Sequence, residues 1–201
     1  MATKQLAELR QEERDTRRRL ILDAARELFA TRDFTRVTAR EIAKAAGMGI
    51  GTLYHYYRNL DELFLDVFLM HALELRELID SEGGTAPSLP RLCRLYLGYL
   101  NDNMTFYQMM SHFMLGGVFS EEGTVRLDEV MRSLMDTVEE ALKARGMREN
   151  SRITAHALFA ALNGVMISYA RYPGRTTEQV RAHTMRLADV IAETFALRAE
   201  G

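Results

Sequence analysis

The stretch from residue 38 to residue 57, TAREIAKAAGMGIGTLYHYY, constrains the fold more than any other part of the sequence. Thr38 and Glu41 lie three positions apart, the spacing at which a helix start can close a capping box. Gly47 can adopt the positive φ that a tight turn between helices needs, and a second short helix is predicted over residues 50–56. A small residue where the helices approach, a glycine at the corner and an apolar residue on the second helix have the spacing of a helix-turn-helix, here Ala43, Gly47 and Leu53.

Polar and aromatic side chains crowd the second of these helices. Successive helical residues point about 100° apart, so three tyrosines and a histidine within four positions cannot all face one core. A generic helical hairpin with aromatic core residues is the alternative interpretation. We predict that the motif contacts DNA, with Arg40 and His55 as candidates for base edges and with open backbone N–H groups at its glycines. The predicted contact residues are Thr38, Arg40, Gly49, Ile50, Gly51, Thr52, Tyr54, His55, Tyr56, Arg58 and Asn59.

Two segments, ILDAARELF (21–29) and VTAREIAKAAGMGIGTLYHYYRNLDELF (37–64), resemble the N-terminal domain of the TetR family of one-component transcriptional regulators nearly position by position. The resemblance is weak over the other two thirds of the chain. It implies a three-helix DNA-binding domain, followed by a helical domain that binds a ligand and pairs two subunits through its last two helices. The sequence departs from the family pattern at Gly49, where a helix-capping Ser is common, and at Leu60, where a phosphate-contacting Lys often lies.

The composition allows a substantial core. Among 201 residues 47% are hydrophobic, enough for one large domain or for a small and a larger one. The sequence has neither a long apolar run nor a basic-then-apolar leader, so we expect a protein that neither spans a membrane nor is secreted. Cys93 is the single cysteine, which excludes an internal disulfide and suits the reducing cytoplasm, the predicted location.

Charge is distributed unevenly along the chain. Residues 1–60 carry 12 Lys and Arg against 8 Asp and Glu, whereas residues 61–201 carry 14 against 20. A basic N-terminal part joined to an acidic remainder is expected when only the first part meets phosphate, although an excess this small also arises by chance. A cluster of arginines before residue 21 either touches DNA phosphates or forms a solvated face: Arg14, Arg17, Arg18 and Arg19.

Helical periodicity continues through the rest of the chain without strand alternation, so we predict an all-α fold. Residues 1–13 have little apolar periodicity and are predicted to form a flexible arm or a frayed extension. Residues 1–60 would make the DNA-binding domain and residues 61–201 the ligand-binding and dimerisation domain, sharing a helix from about 60 to 80. A Gly-, Pro- and Ser-rich loop is expected over 81–90. Further helices are predicted over 89–103, 105–115, 121–145, 151–172 and 177–197.

Stripes of small and apolar residues mark the last two predicted helices. Small residues permit close approach of helix axes, so two helices from each of two subunits would form a four-helix bundle. Alternatively, both stripes face the domain's own core. The family resemblance favours a homodimer formed through Ile153, Ala157, Ala160, Gly164, Ile167, Val180, Leu187 and Ile191.

Methionine and aromatic side chains are concentrated between residues 93 and 119. Methionine adapts its shape and contacts aromatic rings favourably, which suits a pocket for small hydrophobic or amphipathic molecules, although a packed core has the same composition. The five histidines are scattered and cysteines are not paired, so neither a metal nor another cofactor is predicted. The candidates for ligand contact are Tyr96, Tyr99, Met104, Tyr107, Met110, Phe113, Met114, Asn163, Met166 and Tyr169.

These features together predict a ligand-responsive DNA-binding regulator, and favour a repressor that leaves a near-palindromic operator when a small hydrophobic molecule binds. A helical carrier or enzyme with a merely structural N-terminal hairpin is the alternative from another class. Against it, the sequence lacks paired carboxylates, a nucleophile–base pair and metal-ligand spacing. A DNA-binding activator or a ligand-free architectural factor is a third interpretation that the sequence leaves open.

Overall fold

The computed structural model describes residues 2–80, 87–116 and 119–199. Within these ranges it contains nine α-helices, a 3-10 turn (Phe34–Arg36) and no strand, so the predicted all-α fold is confirmed. None of the helices in the described ranges is both long and apolar enough to cross a membrane. The helices are α1 (Ala2–Thr31), α2 (Ala39–Ala45), α3 (Ile50–Tyr56), α4 (Leu60–Asp80), α5 (Leu89–Asp102), α6 (Met104–Gly116), α7 (Glu121–Lys143), α8 (Ser151–Tyr169) and α9 (Thr177–Ala199).

The chain divides into two compact units. The first comprises residues 1–70 and 108–123, and the second comprises residues 71–107 and 124–201. Helices α4 and α6 therefore each contribute residues to both units. The predicted domain boundary near residue 60 stays a prediction.

An aromatic cluster lies at the centre of the first unit. The ring of Phe34 meets that of Phe64 edge to face at 5.1 Å, and Phe29 meets Phe64 at 5.4 Å. All three side chains are at most 5% exposed. Edge-to-face pairs add roughly 0.5–1.5 kcal/mol each beyond the burial of their area. The cluster fixes the end of α1 and the 3-10 turn against the start of α4.

The N-terminal end of α1 differs from the prediction. Residues 2–13, expected to form a flexible arm or a frayed extension, instead continue α1 as regular helix. The side chains of residues 5–20 are all exposed. A helix without a buried face needs no apolar stripe, so hydrophobic periodicity gives no sign of a helix there. Good helix formers and pairs four residues apart stabilise it instead, through Gln11 with Asp15 (3.0 Å) and Arg17 with Glu13 (2.6 Å).

Polar contacts join α5 to α9 in the second unit. The Arg94 guanidinium pairs with the carboxylate of Asp189 at 2.5 Å. The Asn101 amide donates to the hydroxyl of Thr184 at 3.0 Å, and Thr184 is fully buried. Arg181 of α9 also pairs with Asp102 of α5, and the Tyr96 hydroxyl of α5 donates to Asn163 of α8.

Predicted caps mark the starts of two other helices. The Glu62 N–H donates to Asn59 at 2.9 Å before α4, and the Gln179 N–H donates to Thr176 at 3.3 Å before α9. Two ends come earlier than predicted, α7 at Lys143 and α8 at Tyr169. Hydrogen bonds between residues three apart follow each end and tighten the last turn, from Arg145 to Leu142 and from Tyr172 to Tyr169. Residues 81–86 of the predicted loop and Gly117 of the predicted stop after α6 lie outside the described residues.

Candidate nucleic-acid interface

A capping box starts α2. The Glu41 N–H donates to the Thr38 hydroxyl at 3.3 Å, and the Thr38 N–H donates to the Glu41 carboxylate at 2.9 Å. The guanidinium of Arg32, which follows α1, donates to the same carboxylate at 2.8 Å. Hydrogen bonds from the Thr38 backbone and hydroxyl, and then from Arg32, lower the pKa of Glu41 to about 2. The predicted capping box is confirmed, and it fixes the first helix of the motif.

Gly47 forms the corner between α2 and α3. Its φ is +68°, and no atom lies within 4 Å of the position that a Cβ would take, so the backbone conformation rather than space requires glycine. The Met48 N–H donates to the Ala43 carbonyl at 2.8 Å and closes the end of α2. Gly49 caps α3 without a side-chain hydrogen bond, as the departure from the family pattern at this position implies.

Helix α3 buries one face and exposes the other. Leu53 is fully buried, whereas Tyr54 is 51% and Ile50 40% exposed. His55 is exposed, and its ring meets that of Tyr56 edge to face at 5.6 Å. The exposed face therefore presents hydroxyl, imidazole and aromatic groups, the types of group that contact phosphates and base edges.

The last tyrosine of the motif, Tyr57, faces inward and anchors the end of α3. It is 3% exposed, and its hydroxyl donates to the Asp66 carboxylate at 2.9 Å. Arg18 of α1 donates to the same carboxylate at 2.9 Å and lies 5.7 Å from the centre of the Tyr57 ring. Burial, and then the charge of Asp66, raises the pKa of Tyr57 above its ordinary value. This cluster ties α3 to both α1 and α4.

The other residues predicted to contact DNA fall into two groups, those whose side chains cap a helix start and those that stay exposed or half-exposed. The Thr38 hydroxyl belongs to the capping box, and the Asn59 carbonyl accepts the Glu62 N–H. These two side chains serve helix starts, which leaves them less available for DNA. Those that remain exposed or half-exposed are Arg40, Gly49, Gly51, Thr52 and Arg58. All of these contacts stay predictions.

A groove of about 560 Å³ runs between α1 and α3. The basic cluster predicted from the sequence includes Arg14 and Arg17 but not Arg10, which lies in the segment predicted to form a flexible arm or a frayed extension. Positions 10, 14 and 17 share one helix face, and that spacing was the available signal. The groove is lined by Arg10, Glu13, Arg14 and Arg17 from α1 and by Gly51, Thr52, His55 and Tyr56 from α3.

Three of the predicted ligand contacts belong to the first unit. Met110 and Phe113 are 4% and 6% exposed, whereas Met114 is 55% exposed. The Phe113 ring packs edge to face on Phe68 at 5.3 Å and on Phe119 at 4.9 Å. Met110 and Phe113 are therefore part of the apolar core of this unit.

The other predicted ligand contacts belong to the second unit. The Tyr96 hydroxyl donates to Asn163 at 3.1 Å, and the Tyr99 hydroxyl donates to Glu74 at 2.8 Å. Tyr169 lines an open cleft of about 530 Å³ at the junction of α8 and α9. Met166 is fully buried, and Met104 and Tyr107 are half-buried. Their contact with a ligand stays a prediction.

The two predicted dimer stripes differ in exposure. On α8, Ile153 is 66% and Ile167 78% exposed, and Ala157, Ala160 and Gly164 between them are exposed or half-exposed. On α9, Val180 is 8% exposed, and Leu187 and Ile191 are half-buried. Two apolar residues of α9 outside the predicted stripe are more exposed, Val190 at 55% and Leu197 at 73%. The dimer contacts stay predictions.

Comparison with known proteins finds a matching family model and related regulators. The model of bacterial regulatory proteins of the tetR family matches residues 21–67. The HTH-type transcriptional regulator YhgD of Bacillus subtilis is 27% identical over 132 residues, 64% of this chain and 66% of that protein. An HTH-type transcriptional repressor of Mycobacterium tuberculosis is 44% identical over 48 residues, 24% of this chain and 26% of that protein. The chain thus matches less than two thirds of the length of each relative.

The fold is also that of solved regulators. The TetR family transcriptional regulator PfmR from Thermus thermophilus superposes with a TM-score of 0.62 at 20% identity, over 86% of this chain and 93% of that chain. The family segment at residues 21–67 contains the motif from the α2 capping box to the Tyr57 anchor. The matched segment confirms the predicted resemblance to the TetR family of transcriptional regulators over residues 21–67, and the solved structure shares the fold of this chain.

Proposed function

We propose that the protein is a homodimeric regulator that binds a near-palindromic DNA operator through α3 and releases it when a small hydrophobic or amphipathic molecule binds. The observation that carries the proposal is the exposure of Tyr54 and His55 on a short helix whose end is anchored by buried Tyr57. A firmly held helix with exposed hydrogen-bonding groups is what readout of the major groove requires. Arg40 and His55 contact base edges, and the other exposed residues of the motif contact phosphates.

Two copies of α3 would enter successive major grooves. Their centres would then lie roughly 34–36 Å apart, or a multiple of that, which makes the operator a near-palindrome. The exposed stripe on α8 supports pairing of two chains, because Ile153 and Ile167 are more than half exposed and mark its two ends. Apolar stripes of this kind are usually covered.

The effector would act through α4. This helix contributes residues to both units, and its Asp66 accepts the hydroxyl of Tyr57 at the end of α3. A ligand that displaces α4 would therefore change the direction of α3. Effector and operator affinities are then linked reciprocally, typically by about 1–3 kcal/mol. Repression, rather than activation, is supported by the repressor that shares 44% identity over 48 residues.

DNA binding is tested with duplexes selected from a random pool by the full-length protein. Tyr54→Ala and Arg40→Ala should remain folded dimers and should lose binding to the selected duplex in a mobility-shift assay. Arg148→Ala, in the exposed turn before α8, is the control and should bind as the wild type does. Unchanged binding by both variants of the motif would remove the assigned interface.

Pairing through α8 is tested by placing a charge in the exposed stripe. Ile167→Asp should convert the dimer into a monomer in sedimentation velocity, because it buries a carboxylate in an apolar contact. Val125→Asp is the matched control, since Val125 is an exposed apolar residue (52%) on α7. Dissociation by the control alone would contradict the proposed dimer face.

Effector release is tested by thermal-shift screening against hydrophobic and amphipathic compounds. A compound that binds the folded state raises the melting temperature by mass action. We expect that stabilising compounds also release the selected duplex. Stabilisers that leave DNA affinity unaltered would contradict the proposed coupling while leaving the DNA interface intact.

A further inference from the structure

We propose that the N-terminal half of α1 is a second DNA-contacting element, in which Arg10 and Arg14, assisted by Arg17, bind the phosphates of the strand that flanks α3. The inference rests on the proposed function and adds a contact that the helix-turn-helix does not provide. Three observations carry it: a shared groove, the placement of the arginines within α1, and the lack of a folding role for this half of the helix.

The groove brings α1 and α3 together. Arg10, Arg14 and Arg17 line one wall, and the exposed face of α3, including His55, lines the other. A duplex strand that passes beside α3 would therefore run along this row of arginines. Seven residues of α-helix span about 10 Å, and each DNA strand carries a charge about every 3.4 Å, so the row can reach about three phosphates.

The arginines of α1 differ in the direction they face. Arg10, Arg14 and Arg17 lie on the groove side, whereas Arg18 is bound to buried Asp66 and Arg19 lies about 170° around the helix from the groove. Only the first three therefore suit a phosphate strand in the groove. The basic cluster of the sequence thus separates into a groove face, a structural arginine and a solvated arginine.

This half of α1 contributes nothing to the core of the first unit. The side chains of residues 5–17, which precede the structural Arg18, are all exposed, and burial of apolar side chains begins at Ile21. A helical segment of that length with no packed face gains little from folding alone. Contact with a partner explains its row of positive charge better than stability does.

Glu13 gives the proposal a test in the opposite direction. It lines the same groove and pairs with Arg17 at 2.6 Å, and both side chains are about half exposed or more. Its negative charge opposes a phosphate in the groove and occupies Arg17. Removing that charge should therefore strengthen DNA binding, an effect that a purely structural α1 would not produce.

The experiment measures the salt dependence of binding to the selected duplex and to a scrambled duplex of equal length. The variants are Arg10→Gln/Arg14→Gln, Glu13→Gln and, as a control with the same charge change, Arg19→Gln/Arg171→Gln. Glutamine preserves helix propensity, and circular dichroism checks that α1 is retained. The slope of log K against log salt is negative, and each lost phosphate contact lowers its magnitude by about 0.9.

We expect Arg10→Gln/Arg14→Gln to lower the magnitude of that slope by up to about 3.6 for a dimer, equally on both duplexes, because four phosphate contacts are lost. Glu13→Gln should raise the affinity, and the control should match the wild type. Equal slopes for Arg10→Gln/Arg14→Gln and the control would overturn the inference but leave the proposed function standing. If the wild-type protein retains neither duplex, the proposed function fails and this inference fails with it.

Discussion

The buried carboxylate of Asp66 and the half-exposed guanidinium of Arg18 allow a prediction about which partner costs more to remove. The Arg18 side chain is 45% exposed and that of Asp66 4% exposed, and the Arg18 Nε lies 2.9 Å from the Asp66 Oδ2. At an effective dielectric constant near 20, unit charges at that separation attract by about 6 kcal/mol. Because Arg18 is half hydrated, the net value is smaller, about 3 kcal/mol.

Removing the Arg18 charge should therefore cost more stability than removing the Asp66 charge. Arg18→Met leaves a charged carboxylate in a buried site and should cost about 3 kcal/mol, the lower end for a broken buried pair. Asp66→Asn leaves a guanidinium that water can reach and an amide oxygen that still accepts hydrogen bonds, so it should cost only about 1–2 kcal/mol. Arg17→Met is the control on the same helix, and its exposed pair with Glu13 should contribute less than about 0.5 kcal/mol.

The assay is native-state hydrogen exchange of peptides covering residues 50–70, because it reports local opening of the first unit whether or not the whole chain unfolds in one step. A loss of about 3 kcal/mol speeds exchange roughly 100-fold when reclosing is fast. The double variant should cost less than the sum of the single ones, since neither charge then remains unpaired. If Asp66→Asn opens the segment more than Arg18→Met does, the argument from unequal burial is wrong.

Three further predictions follow from single residues. Gly47→Ala should lower the free energy of unfolding by about 1–2 kcal/mol, because Gly47 has a positive φ. Gly98→Ala should raise the free energy of unfolding by about 0.5–1 kcal/mol, because Gly98 lies within α5 and no atom lies within 4 Å of the new Cβ. Urea denaturation at fixed protein concentration measures both changes. The pKa of Glu41 is lowered from 4.5 to about 2, so its charged form stabilises the fold above about pH 4.5 and this contribution is lost as the pH falls towards 2. The melting-temperature difference between the wild type and Glu41→Gln should therefore shrink over that range, and a constant difference would contradict the assignment. Burial, and then the charge of Asp189, raises the pKa of Cys93 to about 12, so iodoacetamide at pH 8 should label it at least about 1000-fold more slowly in the native protein than in urea, as mass spectrometry would measure.

Features that depend on neighbours three or four residues apart were predictable from the sequence. The capping box of Thr38 and Glu41 and the positive φ of Gly47 are both present. Each depends only on residues within a few positions along the chain. The helical residues 2–13 were not predictable by the same approach, since apolar periodicity reports a packed face and this segment has none.

Features that depend on distant neighbours were not predictable. Arg18 looks like the other arginines of its cluster in sequence, and only its contact with Asp66, 48 residues later, makes it a structural residue. Tyr57 is an intermediate case, because it follows Leu53 by four positions and so shares its buried face. The groove between α1 and α3 required both the helical extension and the relative placement of two helices.

The first turn of α4 offers a short route by which an effector could act on α3. His112 of α6 lies 3.4 Å from the Asp61 carboxylate and meets Phe34 edge to face at 5.6 Å. The Ser120 N–H donates to Glu62 at 3.2 Å. These contacts bear on α4 within a few residues of the end of α3, so the effector need not tilt the whole helix. Each of these part-buried polar contacts is worth about 1 kcal/mol, so the loss of two or three together would supply the coupling of about 1–3 kcal/mol that the proposed release requires.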